Sequence, residues 1–176
     1  MHIKYEIKEE DYIQFNLFHV KHSPTIKRNV FIQRYIISLI FLIIPFIFYL
    51  FDDPSWKFSI PVFFGIYLFW VFYYPKKFIK NMKKNIEKMM KEGRNDYLLG
   101  PCELWITEEG IHKKGTSGET KTKWETVEKI ARDKEHLYIY IGSLAAYIIP
   151  LRAFVEESEK EMFVNIIQKY ISTFNK

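Results

Sequence analysis

With 176 residues and a single cysteine, Cys102, the chain can form no intramolecular disulfide and no Cys-rich metal site. Its formal charge of +5 is unevenly spread: residues 1–94 hold 15 Lys/Arg against 8 Asp/Glu, a surplus of +7, while residues 95–176 hold 11 against 13. A basic surplus confined to the half that carries the most apolar stretches fits anionic lipid rather than nucleic acid, so no nucleic-acid partner is expected.

The chain opens on His2–Lys8, where Ile3, Tyr5 and Ile7 alternate with polar residues as in a half-buried strand. Residues 9–22 read as a short helix whose acids Glu9, Glu10 and Asp11 suit its N-terminal dipole. His19 and His22 share a face of that helix, but no nearby Cys or carboxylate completes a ligand set, so they read as packing or interfacial residues rather than metal ligands. Ser23-Pro24 ends this helix or starts the next, since the residue before proline avoids helical geometry.

Two uncharged apolar runs follow, Tyr35 to Phe51 and Phe58 to Tyr74, separated by six residues. As helices each covers roughly 25 Å, near the minimum for a bilayer core of about 30 Å. Two in tandem predict a transmembrane hairpin of antiparallel neighbours. The first run is long and has no small-residue cleavage site, so it is expected to be an uncleaved anchor. No acid lies between Tyr12 and Arg34, where Lys21, Lys27, Arg28 and Arg34 occur, and basic residues return after the second run. The connecting loop, 52–57, has only Lys57. The positive-inside rule then puts both termini in the cytoplasm. Tyr35, Tyr49, Trp56, Trp70, Tyr73 and Tyr74 stand where interfacial aromatics belong. Pro45 and Pro61 lie inside the runs, where each frees a carbonyl that a neighbour must satisfy. Neither run contains an ionisable Asp, Glu, Lys, Arg or His, which argues against a pump or transporter acting alone.

Residues 75–100 form a basic amphipathic segment. Phe78, Ile79, Met82, Ile86, Met89 and Met90 recur at helical spacing among lysines, and Gly93 reads as the stop. The segment either lies on lipid or extends the second span and packs its apolar stripe on protein. Lys76, Lys77, Lys80, Lys83 and Lys84 are the candidate residues facing lipid headgroups, each favouring an anionic surface by about 1 kcal/mol.

From Pro101 the pattern turns to short strands: Cys102–Thr107, Ile111–Lys114, Glu119–Trp124, Val127–Arg132, His136–Ile141 and Ala145–Ile149, punctuated by polar turns. After Pro150 the period becomes helical, with Glu156, Glu157 and Glu159 opening a helix whose apolar face is Phe163, Ile166, Ile167, Tyr170, Ile171 and Phe174. The strand at His2–Lys8 is expected to complete this small sheet domain, with the hairpin inserted between. No nucleotide-binding, nucleophile-elbow or zinc-protease motif is present, so no catalytic residue, cofactor or metal is expected. Glu108-Glu109 reads as a turn rather than an acid–base pair, and His112 and His136 have no evident partners in sequence. Lys113, Lys114, Lys121 and Lys123 form a solvated face or, if they cluster across a hairpin, an anion site. Trp105 and Trp124 read as core or interface residues.

Strands followed by one helix is the order of a pleckstrin-homology-like (PH-like) barrel. The chain resembles the YcxB-like family of small bacterial membrane proteins. The resemblance is carried by His22-Ser23-Pro24 before a basic stretch, the hairpin, Ile106-Thr107-Glu108-Glu109-Gly110-Ile111, Trp124, Ile148-Ile149-Pro150 and Ala153-Phe154. It implies two transmembrane helices and a cytoplasmic PH-like domain, and no activity or catalytic residue. The expected fold is an α+β membrane protein, a two-helix transmembrane hairpin plus a small antiparallel PH-like barrel or sheet capped by a C-terminal helix. The expected divisions are 1–34, 35–74, 75–100 and 101–176. The expected role is a non-enzymatic, membrane-anchored module that binds a protein or peptide at the cytoplasmic face of the cell membrane. Self-protection against membrane-active peptides and an accessory subunit of a transporter or membrane enzyme are the alternatives. The expected partners are the bilayer's anionic headgroups, a membrane or cytoplasmic protein, and a further copy of the chain as a homo-oligomer.

Overall fold

The structure is a computed structural model that describes residues 1–92, 98–143 and 145–174; the predicted stop at Gly93 and the basic Arg94 lie outside the described residues. The chain divides into two units, one made of residues 1–18 and 86–176 and the other of residues 19–85. The second is an insertion in the sequence of the first.

The first unit begins with β1 (His2–Ile7), whose burial alternates as its sequence does. It pairs antiparallel with β2 (Gly100–Ile106), setting Ile3 opposite Leu104 and Tyr5 opposite Cys102. Then come β3 (Ile111–Gly115) and β4 (Gly118–Thr122), giving a four-stranded sheet in the order β1-β2-β3-β4. A second sheet contains β5 (Lys129–Arg132), β6 (His136–Tyr140) and β7 (Ala146–Pro150), in sequence order. Both sheets are antiparallel throughout. Helix α5 (Glu157–Phe174) follows, and its Phe163 and Ile167 join the core with Leu104, Val127, Ile139 and Ile149.

Among the described residues the sheets do not close into a barrel, which corrects the barrel form of the expected fold. The break falls at Trp124, predicted as the end of a strand but placed in a short 3-10 turn, Trp124–Thr126. Its indole is buried in the core, donates to the Thr107 carbonyl at 3.0 Å and stacks on Tyr170 of α5 at 4.6 Å. Pulling this side chain inward turns the backbone out of the β4 ladder before β5 starts.

Strand β6 is buried on both faces. Leu137 and Ile139 alternate with Tyr138 and Tyr140, and all five residues of the strand are buried. Leu137 and Ile139 face the main core, while Tyr138 and Tyr140 pack with Phe15 and Ile148. Phe15 comes from α1 (Glu9–His22), so this helix covers the outer face of the three-stranded sheet.

The turn between β2 and β3 requires glycine at 110. Its φ is +148°, and a Cβ there would lie 2.2 Å from the Thr122 carbonyl oxygen of β4. Gly110→Ala should therefore destabilise the sheet by on the order of 3 kcal/mol, through a disfavoured backbone and displacement of β4. Hydrogen exchange of the β3 and β4 amides is the readout, and unchanged protection would show that the turn relaxes freely.

The second unit holds two long helical segments. Pro24–Leu50 spans 27 residues, running from α2 (Pro24–Phe31) through a π-helical turn (Ile32–Ile36) and a 3-10 turn (Ile37–Leu39) into α3 (Ile40–Leu50). Helix α4 (Trp56–Glu92) runs 37 residues, about 55 Å, so it includes both the second apolar run and the lysine-rich segment. Both are long and apolar enough to cross a membrane, and only 11% and 6% of their most apolar windows are buried. A core helix of a soluble domain would be mostly buried.

The two segments are antiparallel neighbours, as the short loop predicts. Tyr49 meets Trp56 edge-on at 5.5 Å near the loop, and Trp70 Nε1 donates to the Gln33 carbonyl at 3.3 Å at the other end. Arg34 Nε donates to the Val71 carbonyl at 2.8 Å. That carbonyl stands four residues before Pro75, which lies inside α4 and has no N–H to offer it. Arg34 thus satisfies the backbone acceptor that the proline orphans.

Candidate functional site

The predicted headgroup lysines are brought together on one face of α4. At 100° per residue, Lys76, Lys77, Lys80, Lys83 and Lys84 fall within an arc of about 120°. All five are exposed. Pro75, Phe78 and Met82 fall on the opposite side of the helix, Ile79 borders the lysine arc, and all four are half-buried. The segment begins one residue past Tyr74, the end of the second apolar run, and Lys77 Nζ lies 5.4 Å over the Tyr73 ring. A cation stacked on an aromatic at the end of an apolar helix is an interfacial arrangement.

On the opposite side of α4 there is a groove of about 210 Å³ between Pro75, Phe78 and Ile79 and the segment that carries Val20, Ile26 and Val30, with Lys21 and Lys27 also lining it. Sequence reasoning grouped Lys21 and Lys27 only as topology signals. Their placement beside an apolar groove depends on the turn at Ser23-Pro24, which lets the chain double past α4.

The other four lysines do not converge on one site. Lys114 stands opposite Glu119 in the β3–β4 register, with Nζ 3.5 Å from its carboxylate. Adjacent strand residues point to opposite faces, so Lys113 is turned away from Lys114 and shares the inner side with Cys102. Lys121 and Lys123 line a separate cavity of about 270 Å³ with Glu109 and His112. The outer sheet face instead carries a row of rings: His2 stacks on Trp105 at 4.6 Å, and Trp105 on His112 at 5.0 Å. The next row alternates in charge, with Lys4 and His2 bonding Glu103 at 3.2 and 3.0 Å. Trp105 is therefore a surface-sheet residue, Trp124 a core one. Glu108 and Glu109 are exposed turn residues. Burial pushes the Cys102 thiol up, which keeps it a packed, unreactive group.

The strongest polar constellation escaped the sequence. Asp11 and His136 are both buried, and His136 Nε2 lies 2.8 Å from Asp11 Oδ1. Arg152 donates two bonds to the same carboxylate, at 2.8 and 2.5 Å, and the Lys8 amide adds a third donor at 2.7 Å. The other His136 nitrogen, Nδ1, faces Asp133 Oδ1 at 3.3 Å, and Tyr138 donates to Asp133 Oδ2 at 2.6 Å. Burial raises the Asp11 carboxyl, but the bonds from Arg152, the Lys8 amide and His136 outweigh it and hold it at about 2. The Tyr138 phenol is pushed up by burial and by the Asp133 carboxylate. The network's members come from the start of α1, the β5–β6 turn, β6 and the segment after β7. It pins the start of α1 to the second sheet. Among the described residues no group of His, Cys, Asp and Glu has a metal-binding arrangement.

A further cavity lies beside β5. That strand ends its sheet, and the cavity, of about 330 Å³, is lined by Ile130, Ala131, Arg132 and Leu137 from the sheet and Val164 and Gln168 from α5.

These features define a class: among the described residues, an α+β domain of seven strands in two sheets with a C-terminal helix, interrupted within α1 by a helical pair of membrane-spanning length. The family model for YcxB-like protein matches residues 106–167 and supports the YcxB-like assignment. The matched stretch contains the Ile106–Ile111 turn, Trp124, Ile148-Ile149-Pro150 and Ala153-Phe154; His22-Ser23-Pro24 and the hairpin lie outside it. No curated protein and no solved structure gives a significant match to the chain.

Proposed function

We propose that this chain is a non-enzymatic PH-like module, anchored in the cell membrane by its helical pair with both termini cytoplasmic, that binds an extended segment of a partner protein. The observation that carries the reading is the edge of β5 with its adjacent cavity. An edge strand offers unpaired backbone donors and acceptors, and an incoming strand completes the ladder while a side chain enters the neighbouring pocket. Ile130 and Val164 supply apolar walls for such a side chain, and Arg132 and Gln168 supply polar ones. The four-plus-three strand order with a closing C-terminal helix supports the PH-like assignment. The lysine face of α4 supports a cytoplasmic, anionic membrane surface as the place of action.

The test is co-purification of the tagged full chain in mild detergent, followed by mass spectrometry. A partner held at this edge should be lost by at least tenfold in Val164→Arg, which fills the cavity with a charge from a half-buried helix position. Hydrogen exchange of β6 should be unaltered in that variant. Recovery of the chain alone, or a partner indifferent to the variant, would sink the reading.

A further inference from the structure

We infer that the groove between the Val20–Val30 segment and α4 holds one anionic phospholipid. The inference rests on the membrane-anchored reading above and gives it a specific ligand site. The groove has two parts. Val20, Ile26, Val30, Pro75, Phe78 and Ile79 form an apolar trough, and Lys21 and Lys27 stand beside it. No acid occurs between Tyr12 and Arg34, and on α4 the first acid is Glu87, so no carboxylate nearby in sequence competes for these two ammonium groups. An apolar trough with cations at its side complements a ligand that joins a hydrocarbon chain to an anionic head.

The position along the chain matches such a ligand. Val30 stands five residues before Tyr35, and Ile79 five residues after Tyr74, the two cytoplasmic ends of the apolar runs. Five residues of helix cover about 8 Å, comparable to the headgroup layer that separates the hydrocarbon core from water. Basic sites between helices at that level bind acidic headgroups. The size suits a slender occupant. About 210 Å³ accepts a length of acyl chain, whereas a helix with its side chains is about 10 Å across.

The site differs from the lysine face of α4. Phe78 points away from Lys76, Lys77, Lys80, Lys83 and Lys84 on the helix, and Ile79 borders their arc. Those five cations meet the bilayer as a diffuse, salt-sensitive charge, while Lys21 and Lys27 bind a single molecule in a fixed place.

The experiment uses the full chain in non-ionic detergent, supplemented with phosphatidylglycerol or phosphatidylcholine and examined by native mass spectrometry. One phosphatidylglycerol per chain should be retained, with about tenfold preference over phosphatidylcholine. Lys21→Gln/Lys27→Gln should abolish the preference. Ile79→Trp, which fills the trough and leaves both lysines, should expel the lipid. Charge removal at Lys76, Lys77, Lys80, Lys83 and Lys84 together should keep the bound lipid while weakening adsorption to phosphatidylglycerol vesicles. Equal retention of both lipids, an unchanged preference in the Lys21/Lys27 variant, competition by millimolar inorganic phosphate, or a dimer with an empty groove would each overturn the inference. If the chain instead partitions into the aqueous fraction without detergent, the membrane reading itself fails. A membrane-bound chain that retains no phosphatidylglycerol refutes the groove alone.

Discussion

Asp11→Ala should cost about 3 kcal/mol of stability in the sheet domain, at the lower end of the range for breaking a buried charge pair. The carboxylate accepts from Arg152 twice, from His136 and from the Lys8 amide. Removing it leaves a buried imidazole and a backbone N–H at the start of α1 without their acceptor. The Arg152 side chain is 47% exposed, so water recovers part of its loss, and the larger end of that range does not apply. Asp11→Asn retains an oxygen for the Lys8 amide and should cost about half as much.

The same group sets an acid limb. Its carboxyl lies at about 2 in the folded chain against an ordinary value of 3.8. A lowered carboxylate contributes stability that is complete above its unfolded value and is lost as pH falls through its folded one. The loss should therefore run from about pH 4 down to about pH 2 and amount to on the order of 2 kcal/mol. Asp133, also lowered, acts in the same direction. Hydrogen exchange of the β5–β7 amides at pH 7 and across the acid limb measures both effects within this unit. A wild-type limb that persists unchanged in Asp11→Asn would assign it to other carboxylates.

Trp124→Ala should be at least as damaging, at about 3–5 kcal/mol. The side chain is 1% exposed and is among the largest fully buried groups in the domain. Its removal opens a cavity between the β4–β5 turn and α5, frees the Thr107 carbonyl and strips Tyr170 of its stacking partner. Trp124→Phe keeps much of the buried area and loses the indole donor, so about 1–2 kcal/mol is expected. The discriminating readout is protection of the α5 amides, which should fall more than that of β1–β2. Equal loosening throughout would show that Trp124 fills space without specifically holding the helix.

Most of the architecture was legible because its periods are local. Ile3, Tyr5 and Ile7 alternate, the two apolar runs carry no charge, and Phe163 and Ile167 lie four apart, so each element announces its own buried face. What stayed hidden depends on chain-distant partners. Asp11 reads as a dipole-stabilising residue at a helix start, yet its acceptors serve a residue 125 positions away and another 141 away. His136 looked partnerless for the same reason. The nearer half of its environment, Asp133 three residues earlier across a turn, was a signal within reach. Nothing in the alternation of β6 reveals that Phe15 covers Tyr138 and Tyr140. Of Lys113, Lys114, Lys121 and Lys123, parity turns only Lys113 inward; Lys114 and Lys121 share the outer side, as a solvated face requires, and Lys114 stands opposite Glu119.

The pairing of β1 with β2 has a consequence for synthesis. Met1 and Ile106 are joined by a backbone hydrogen bond of 2.8 Å, and the ladder runs from His2–Trp105 to Ile7–Gly100. At about 5–20 residues per second, β1 leaves the ribosome several to some twenty seconds before β2. During that interval the two apolar segments emerge, and an exposed strand edge must stay unpaired. The four-stranded sheet can therefore be completed only after both helices have been made, so a chain that stalls within them should reach the cell's quality control with β1 still unpaired.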